Sequence, residues 1–426
     1  MKKIHGGVIM KKYLLLLGAD QFLRERSYSG ARSVGDFEVW TAIKNAKYKY
    51  NAYFDFCMDA DSLNYEELKE NIEKYKEKGF EPKAIVPLND WTLKVANKLN
   101  KNFGLPFLNE KTVNACRNKK LMKSHFIKNK VSTPKSMEFE GEKQLNDMVK
   151  EFKFPVIIKP LEFGGSGGVY LANNIKECVE SYHKSKNIME IYADSFNVSK
   201  SKFLIEEFID SEDEVSVEVL CGDGFYEVIT VTEKYLSPKP WFTEMGHLVP
   251  SHRYQDDKIK KLAIDACRAL GINRGIAHVE IKIKENNLYV IEAAARPGGD
   301  SIMDLIESSY EINPYKLHVA MYIDNKEKII EDFVPKRTSA IAFLKAEKGI
   351  ITDIKYPDVS KDEEIKRISF LNNIGDVAGE PENWSNREGI IQMNWDGLVT
   401  EKDFRHINKA KKLSNDIFTV SDISNE

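Results

Sequence analysis

From residue 278 to residue 294, apolar and polar positions alternate with a period of two. Val279, Ile281 and Ile283 alternate with His278, Glu280, Lys282 and Lys284, the pattern of a half-buried strand. After Glu285-Asn286-Asn287 a second apolar row follows, made of Tyr289, Ile291 and Ala293. With Lys284 facing Leu288, Ile283 meets Tyr289, Ile281 meets Ile291 and Val279 meets Ala293. A one-residue slip would break every pair, which specifies the register. The same register sets Glu280 opposite Glu292, where facing Cβ atoms lie about 5 Å apart.

Elsewhere the pattern predicts strands at residues 13–19, 39–40, 52–58 and 84–88, with helical stretches between them such as Tyr65–Lys78. This alternation argues a small parallel α/β domain. Residues 110–130 predict one helix rich in Lys and Asn, bounded by Pro134. From Phe154 the pattern changes to antiparallel hairpins. A strand at Pro155–Lys159, a turn at Gly164–Gly168 and a return at Val169–Leu171 come first. A strand at Phe203–Ile209 and a hairpin of Glu214–Leu220 with Phe225–Thr232 follow. Ser237–Tyr254 reads as a long loop, a functional suspect by its length. Asp256 caps a helix that sets Ile259, Leu262, Ala263, Ala266 and Leu270 on one face and stops at Gly271. Beyond residue 331 lies a mixed α/β tail with a strand at Ser339–Leu344 and a charged end. The expected divisions are 1–110, 111–210, 211–330 and 331–426.

Composition narrows the function classes. The chain has 426 residues and 42% hydrophobic content, enough for two or three packed lobes. A net charge of −3 gives no sign of a nucleic-acid or membrane partner. Five cysteines are scattered without a CxxC pair, so neither zinc nor a disulfide framework is indicated, and reduced thiols point to the cytoplasm. Lys2, Lys3, Lys11 and Lys12 precede the apolar run Tyr13–Ala19. That run ends in Asp20 and lacks an Ala-x-Ala site, so it reads as a first buried strand and not as a signal core.

Several stretches carry candidate chemistry. Two facing carboxylates repel, and a hard cation such as Mg²⁺ that completes its shell with phosphates and water would relieve them; a solvated hairpin is the plain alternative. Phe163-Gly164-Gly165-Ser166-Gly167-Gly168-Val169 can turn consecutive backbone N–H groups onto an anion, with Lys159 at the end of the preceding strand, against a plain flexible hairpin turn. No GxxxxGK[ST] or GxGxxG fingerprint accompanies it. Glu206, Glu207, Phe208 and Ile209 place acids in an apolar strand, where they could accept base or ribose hydrogens or simply be solvated. Glu214 invites the same two readings. His247 is a candidate donor or base among Gly246 and apolar neighbours, against an ordinary surface histidine. Arg296, followed by Pro297-Gly298-Gly299, combines a cation with small residues that admit a substrate to the backbone.

In order along residues 13–330, these features resemble the ATP-grasp superfamily. Asn118-Lys119 followed by Met122-Lys123 and Val131-Ser132-Thr133-Pro134 is similar to the entry into that domain. The resemblance implies that Lys119 and Lys159 bind ATP, with Gly165, Ser166 and Gly167 over its phosphates. It further implies Glu206, Glu207, Phe208 and Ile209 at the adenine, Glu214 near the ribose, and Glu280 and Glu292 on the metal. Ala294 stands where most of these enzymes carry a metal-binding Asn. The Glu292-Ala-Ala-Ala-Arg296 form, Gly246-His247, and His278-x-Glu280 with Gly298-Gly299 are most similar to L-amino-acid ligases of the bacilysin type. The implied architecture is α/β and α+β, an ATP-grasp fold between an N-terminal parallel α/β domain and a small C-terminal domain. The implied activity is an ATP-dependent carboxylate–amine ligation of two amino acids, with Mg²⁺ or Mn²⁺ as cofactor and a homodimer allowed. Arg296 and His247 are then the catalytic candidates; His278, Gly298, Gly299 and Trp241 would meet substrate. The rivals are a bicarbonate-using carboxylase or carbamoyl-phosphate type, a nucleotide-binding module without turnover, and a purely structural α/β protein.

Overall fold

The computed structural model describes residues 10–20, 23–46, 53–324 and 332–421. Lys2, Lys3, the first position of the 52–58 run, the division at residue 330 and the last five residues lie outside them. Four parallel strands come first, β1 (Lys11–Leu17), β2 (Glu38–Ala42), β3 (Phe56–Met58) and β4 (Phe80–Pro87), in the order β3-β2-β1-β4. Tyr13 to Leu17 are fully buried because β1 is internal to a sheet whose faces are covered by helices. Those helices are α1 (Arg26–Arg32), α2 (Tyr65–Glu77) and α3 (Asp90–Asn102). Asn64 and Asn89 cap α2 and α3 by accepting from Glu67 and Thr92.

The expected single helix over 110–130 is two, α4 (Glu110–Arg117) and α5 (Lys119–Lys128). Asn118 between them is extended and accepts from the Leu121 N–H, so the Asn that looked like helix interior is an N-cap. A small antiparallel sheet follows, with β5 (Ser136–Glu140), α6 (Gly141–Met148), β6 (Val156–Pro160), β7 (Tyr170–Ala172), α7 (Ile175–Phe196) and β8 (Lys202–Glu207). Its order is β5-β8-β6-β7, and β6 and β7 flank the glycine-rich turn as the pattern predicts.

The largest sheet begins with β9 (Glu214–Gly222), β10 (Phe225–Leu236) and β11 (Glu244–Val249). After α8 (Asp257–Leu270) it adds β12 (Gly275–Lys284) and β13 (Asn287–Ala294). Helices α9 (Ile302–Tyr310) and α10 (Pro314–Tyr322) lead to β14 (Arg337–Leu344), β15 (Gly349–Ile354), β16 (Ile365–Phe370), β17 (Val377–Ala378) and β18 (Gly389–Asp396). Helix α11 (Arg405–Ile417) and β19 (Phe418–Ser421) end the described chain. Eight of these strands form one sheet, β13-β12-β9-β10-β11-β14-β18-β16. Strands β14, β18 and β16 therefore extend the sheet that carries β9–β13.

Two expectations need correction here. Residues 244–249 of the expected loop are the strand β11, a hairpin partner of β10 that also pairs with β14 some ninety residues on; Gly246 and His247 interrupt its apolar pattern, so the segment reads as loop. In the β12–β13 hairpin, Val279 faces Ala293 and Glu280 faces Glu292 as predicted. Beyond them Ile281 meets Val290 and Ile283 meets Leu288. The turn is one residue tighter than expected, and a bulge leaves Ile291 as the extra residue. Val290 is consequently buried in place of Ile291, and Ile291 joins Glu292 on the open side. No described helix is long and apolar enough to cross a membrane.

Candidate active site

Alternation along β9 and β12 builds the floor of the site. Val215, Val217 and Val219 join Val279 and Ile281 against Ile259, Ala263 and Ala266 of α8. The opposite face carries Glu214, Ser216 and Glu218, in register with Lys282, Glu280 and His278. This polar face opens on a cleft of about 900 Å³, covered by the glycine-rich turn between β6 and β7. The cleft gathers every expected site residue except Gly298 and Trp241. The backbone is left-handed at Phe242 (φ 52°), and Phe242, not Trp241, reaches the wall.

Lys234 on β10 organises the charges of the floor. It is in register with Glu214 on one side and His247 on the other. Its ammonium, 2% exposed, lies 2.6 Å from Glu214, 2.8 Å from Glu244 and 3.2 Å from Glu280. Burial disfavours the ammonium, but the three carboxylates outweigh it and hold the lysine well above its usual range. Burial likewise opposes ionisation of Glu280, yet Lys234 and His278 hold its carboxyl well below the ordinary value. Burial would lower His278, but the facing Glu218 carboxylate pushes it up to about 9, so the ring is an imidazolium at neutral pH. The second oxygen of Glu218 accepts from the Gly298 N–H at 3.2 Å. A Cβ on Gly298 would sit 2.9 Å from Glu218, so this glycine lets the Arg296–Gly298 turn close on the floor.

At one end of the cleft stand the lysines. Lys159 lies 2.7 Å and Lys123 2.9 Å from the two oxygens of buried Glu206. Those lysines keep Glu206 ionised against its burial, while burial brings Lys123 down to about 8. Lys119 donates to the Phe163 carbonyl at 2.6 Å and lies 3.2 Å from Glu292, tying the glycine-rich turn to the hairpin. Gly165, Ser166 and Gly168 are all left-handed, which lets the turn curl over the cleft. Glu207, Phe208 and Ile209 form the adjoining edge, with Phe208 and Phe242 5.6 Å apart.

At the other end, Arg296 donates from Nε to Asp90 at 2.7 Å, and Arg117 stands 3.6 Å from the other oxygen. Burial would raise Asp90, but the two arginines bring it down to about 2. His247 is 99% buried, its ring nitrogens lack hydrogen-bond partners, and Nε2 stands 3.5 Å from Asp300. Arg387 grips both oxygens of Asp300 at 2.7 and 3.0 Å. Asp300 and Ser301 are both left-handed, a strained pair of the kind found at binding sites.

Two arrangements could hold a cation. Glu244, His247 and Asp300 offer ligand atoms within 4.8 Å of one another, but Arg387 already occupies both oxygens of Asp300. Glu280 and Glu292 face each other, are partly open to the cleft, and have cationic neighbours no nearer than 3.2 Å. Two carboxylates beside an open cleft fit Mg²⁺, which keeps several waters or phosphate oxygens. Ala294, buried at the strand end, offers no side-chain ligand.

Sequence reasoning missed Lys234, Glu218, Asp90, Asp300 and Arg387. Glu218 was legible: Glu214-Val215-Ser216-Val217-Glu218-Val219 alternates, so Glu218 shares a face with Glu214. The others enter through contacts between distant segments and left no local signal.

Comparison with known proteins bears on the fold that carries this cleft. A profile of the ATP-grasp domain matches residues 152–305. The alanine–anticapsin ligase of Bacillus subtilis (strain 168) is 26% identical over 288 residues, which are 63% of this chain and 59% of that one. The chain thus spans about six-tenths of the length of the curated ligases it matches. The crystal structure of an L-amino acid ligase from Bacillus licheniformis superposes with a TM-score of 0.81 at 21% identity, covering 97% of this chain and 100% of that one. The biotin carboxylase domain of the Hydrogenobacter thermophilus 2-oxoglutarate carboxylase, solved with MgADP and bicarbonate, gives 0.71 at 16% identity, covering 97% and 91%.

Proposed function

For a chain with the ATP-grasp fold and likeness to L-amino-acid ligases, we propose an ATP-dependent carboxylate–amine ligase that joins two amino acids. The observation that carries this reading is one continuous cleft with lysines and a glycine-rich turn at one end. Facing carboxylates lie in its middle and an anchored arginine at the other end.

Lys119, Lys159 and Gly165–Gly167 would hold the ATP phosphates, and Glu206–Ile209 with Glu214 the adenosine. Glu280 and Glu292 would hold Mg²⁺, or Mn²⁺ in its place, and the bound ion would neutralise phosphate charge. Arg296, fixed by Asp90, would pair with the substrate carboxylate. Its oxygen attacks the γ-phosphorus, the bond to the β-phosphate oxygen breaks, and ADP leaves. The amine then attacks the acyl carbon, phosphate departs and the nitrogen loses a proton. His247 supplies a hydrogen-bond donor near the tetrahedral oxygen, and the His278 imidazolium, set between Glu218 and Glu280, orients the floor beside it. The glycine-rich turn keeps water from the acyl phosphate. We assign the lobes near residues 1–110, 111–210, 211–330 and 331–426.

The test is phosphate release with ATP, Mg²⁺ and amino acids, singly and in pairs, with the product analysed by mass spectrometry. A peptide-bonded product is expected. ADP formation driven by bicarbonate and by no amino acid would replace the ligase with a carboxylase.

A further inference from the structure

Arg24 stands where the parallel sheet meets the cleft. In the order β3-β2-β1-β4 the chain leaves β1 toward β2 on one side, and β4 lies on the other. The carboxyl ends of β1 and β4 therefore flank a topological switch point, where open α/β sheets bind ligands. Asp90, the anchor of Arg296, follows β4 there, and Arg24 follows β1. A side chain on Gly18, at the end of β1, would strike Asn89, so the two connections touch.

Arg24 is 94% buried and lines the cleft, and its Nη1 has no hydrogen-bond partner. Among the described residues no carboxylate pairs with it. One oxygen of each neighbouring acid is engaged elsewhere, and the other has no hydrogen-bond partner. Glu25 receives Arg367 at 3.5 Å, and Asp304 accepts from Ser301 at 3.2 Å. The Tyr315 hydroxyl beside Arg24 is neutral and leaves its charge uncompensated. A buried guanidinium without a counter-charge is costly, and one that faces a cleft is a ready anion site.

We propose that Arg24 is the residue that binds the free carboxylate of the second, amine-donating amino acid. This inference rests on the carboxylate–amine ligase reading. Arg296 takes the carboxylate to be activated; Arg24, on the neighbouring connection, takes the one that is not. A carboxylate on each arginine directs the free amine toward the activated acyl group.

The test compares an amino acid with its own amide as the amine substrate, in steady-state turnover and in calorimetric binding with Mg²⁺ and ADP. Wild type should favour the free acid by about ten- to a hundredfold, the range of one charge-assisted contact. R24A and R24Q should raise KM for the amine substrate by a similar factor and abolish the preference, and R24K should retain part of it. Equal use or equal binding of acid and amide by wild type would overturn the proposal without any variant. So would an R24Q protein that keeps the discrimination, or one whose change falls on the acyl donor's side chain. An acid preference in binding that R24Q abolishes, with no turnover of any amino-acid pair, would sink the ligase reading alone and leave the carboxylate site standing.

Discussion

Arg296 donates to Asp90 at 2.7 Å across 206 residues of sequence, joining the end of the central hairpin to the first helix after β4. The same carboxylate faces Arg117 at 3.6 Å, so one aspartate compensates two largely buried arginines. Asp90→Asn keeps the shape and removes the charge. Breaking a buried pair in this way costs about 3–5 kcal/mol, a loss that urea unfolding would measure. Turnover should fall as well, because Arg296 loses its orientation. Unchanged stability and unchanged kcat/KM in Asp90→Asn would show that the pair is incidental.

Glu280 and Glu292 lead to a second expectation. Glu280→Gln and Glu292→Gln should each reduce Mg²⁺-dependent turnover by at least about a hundredfold, as befits several kcal/mol of charge stabilisation. Both should weaken Mg²⁺-dependent ADP binding in calorimetry while circular dichroism stays native. Full Mg²⁺-dependent binding and turnover in both variants would remove the metal assignment.

How much of this was legible in the sequence depends on how far each contact reaches. The elements of the N-terminal sheet, the glycine-rich turn and the α8 caps follow from local period and turn chemistry; the strands overlap the expected runs with shifted ends, and of the 52–58 run only Phe56–Met58 is strand among the described residues. The pairing of Glu280 with Glu292 was readable because Val279 and Ala293 anchor the register next to it. The bulge at Ile291 was not, because a tightened turn and an extra residue leave the same composition. Strand β11 reads as loop because Gly246 and His247 break its apolar alternation, although it pairs with neighbouring β10 as well as distant β14. Nothing in the sequence separates Lys234 from any other strand lysine, and only cross-strand pairing reveals the three carboxylates around it.

Trp384 closes on the glycine-rich turn from the C-terminal part of the chain. A Cβ on Gly165 would lie 2.8 Å from its ring, at a backbone φ of 64°. Gly165→Ala should therefore distort the turn and raise KM for ATP about tenfold, the scale of 1–2 kcal/mol of left-handed strain. Trp384→Ala should loosen it, so that residues 162–168 exchange amide hydrogens faster without nucleotide and regain protection with ADP. Exchange that is identical in wild type and Trp384→Ala would show that the contact does not hold the turn.

His318 gives the fold a dependence on pH that can be separated from the site. Its Nδ1 accepts from the Ile276 N–H at 2.9 Å, and its Nε2 donates to the Pro87 carbonyl at 3.0 Å. The neutral ring thus ties β12 to the end of β4, and a proton on Nδ1 would break the first of these bonds. Burial, the larger cause, lowers its pKa to about 4, with the Arg24 charge acting in the same direction. The unfolded ring titrates near 6.5. Between those values the unfolded chain binds the extra proton, so stability rises with pH there. The contribution is full above about pH 6.5 and is lost as pH falls toward 4. Some 2.5 pH units correspond to roughly 3 kcal/mol at most. Urea unfolding from pH 7.5 to pH 4 should show this slope in wild type. His318→Gln should be less stable at pH 7 and flatter between pH 6.5 and 4. A variant with the wild-type slope would place the acid sensitivity in other groups.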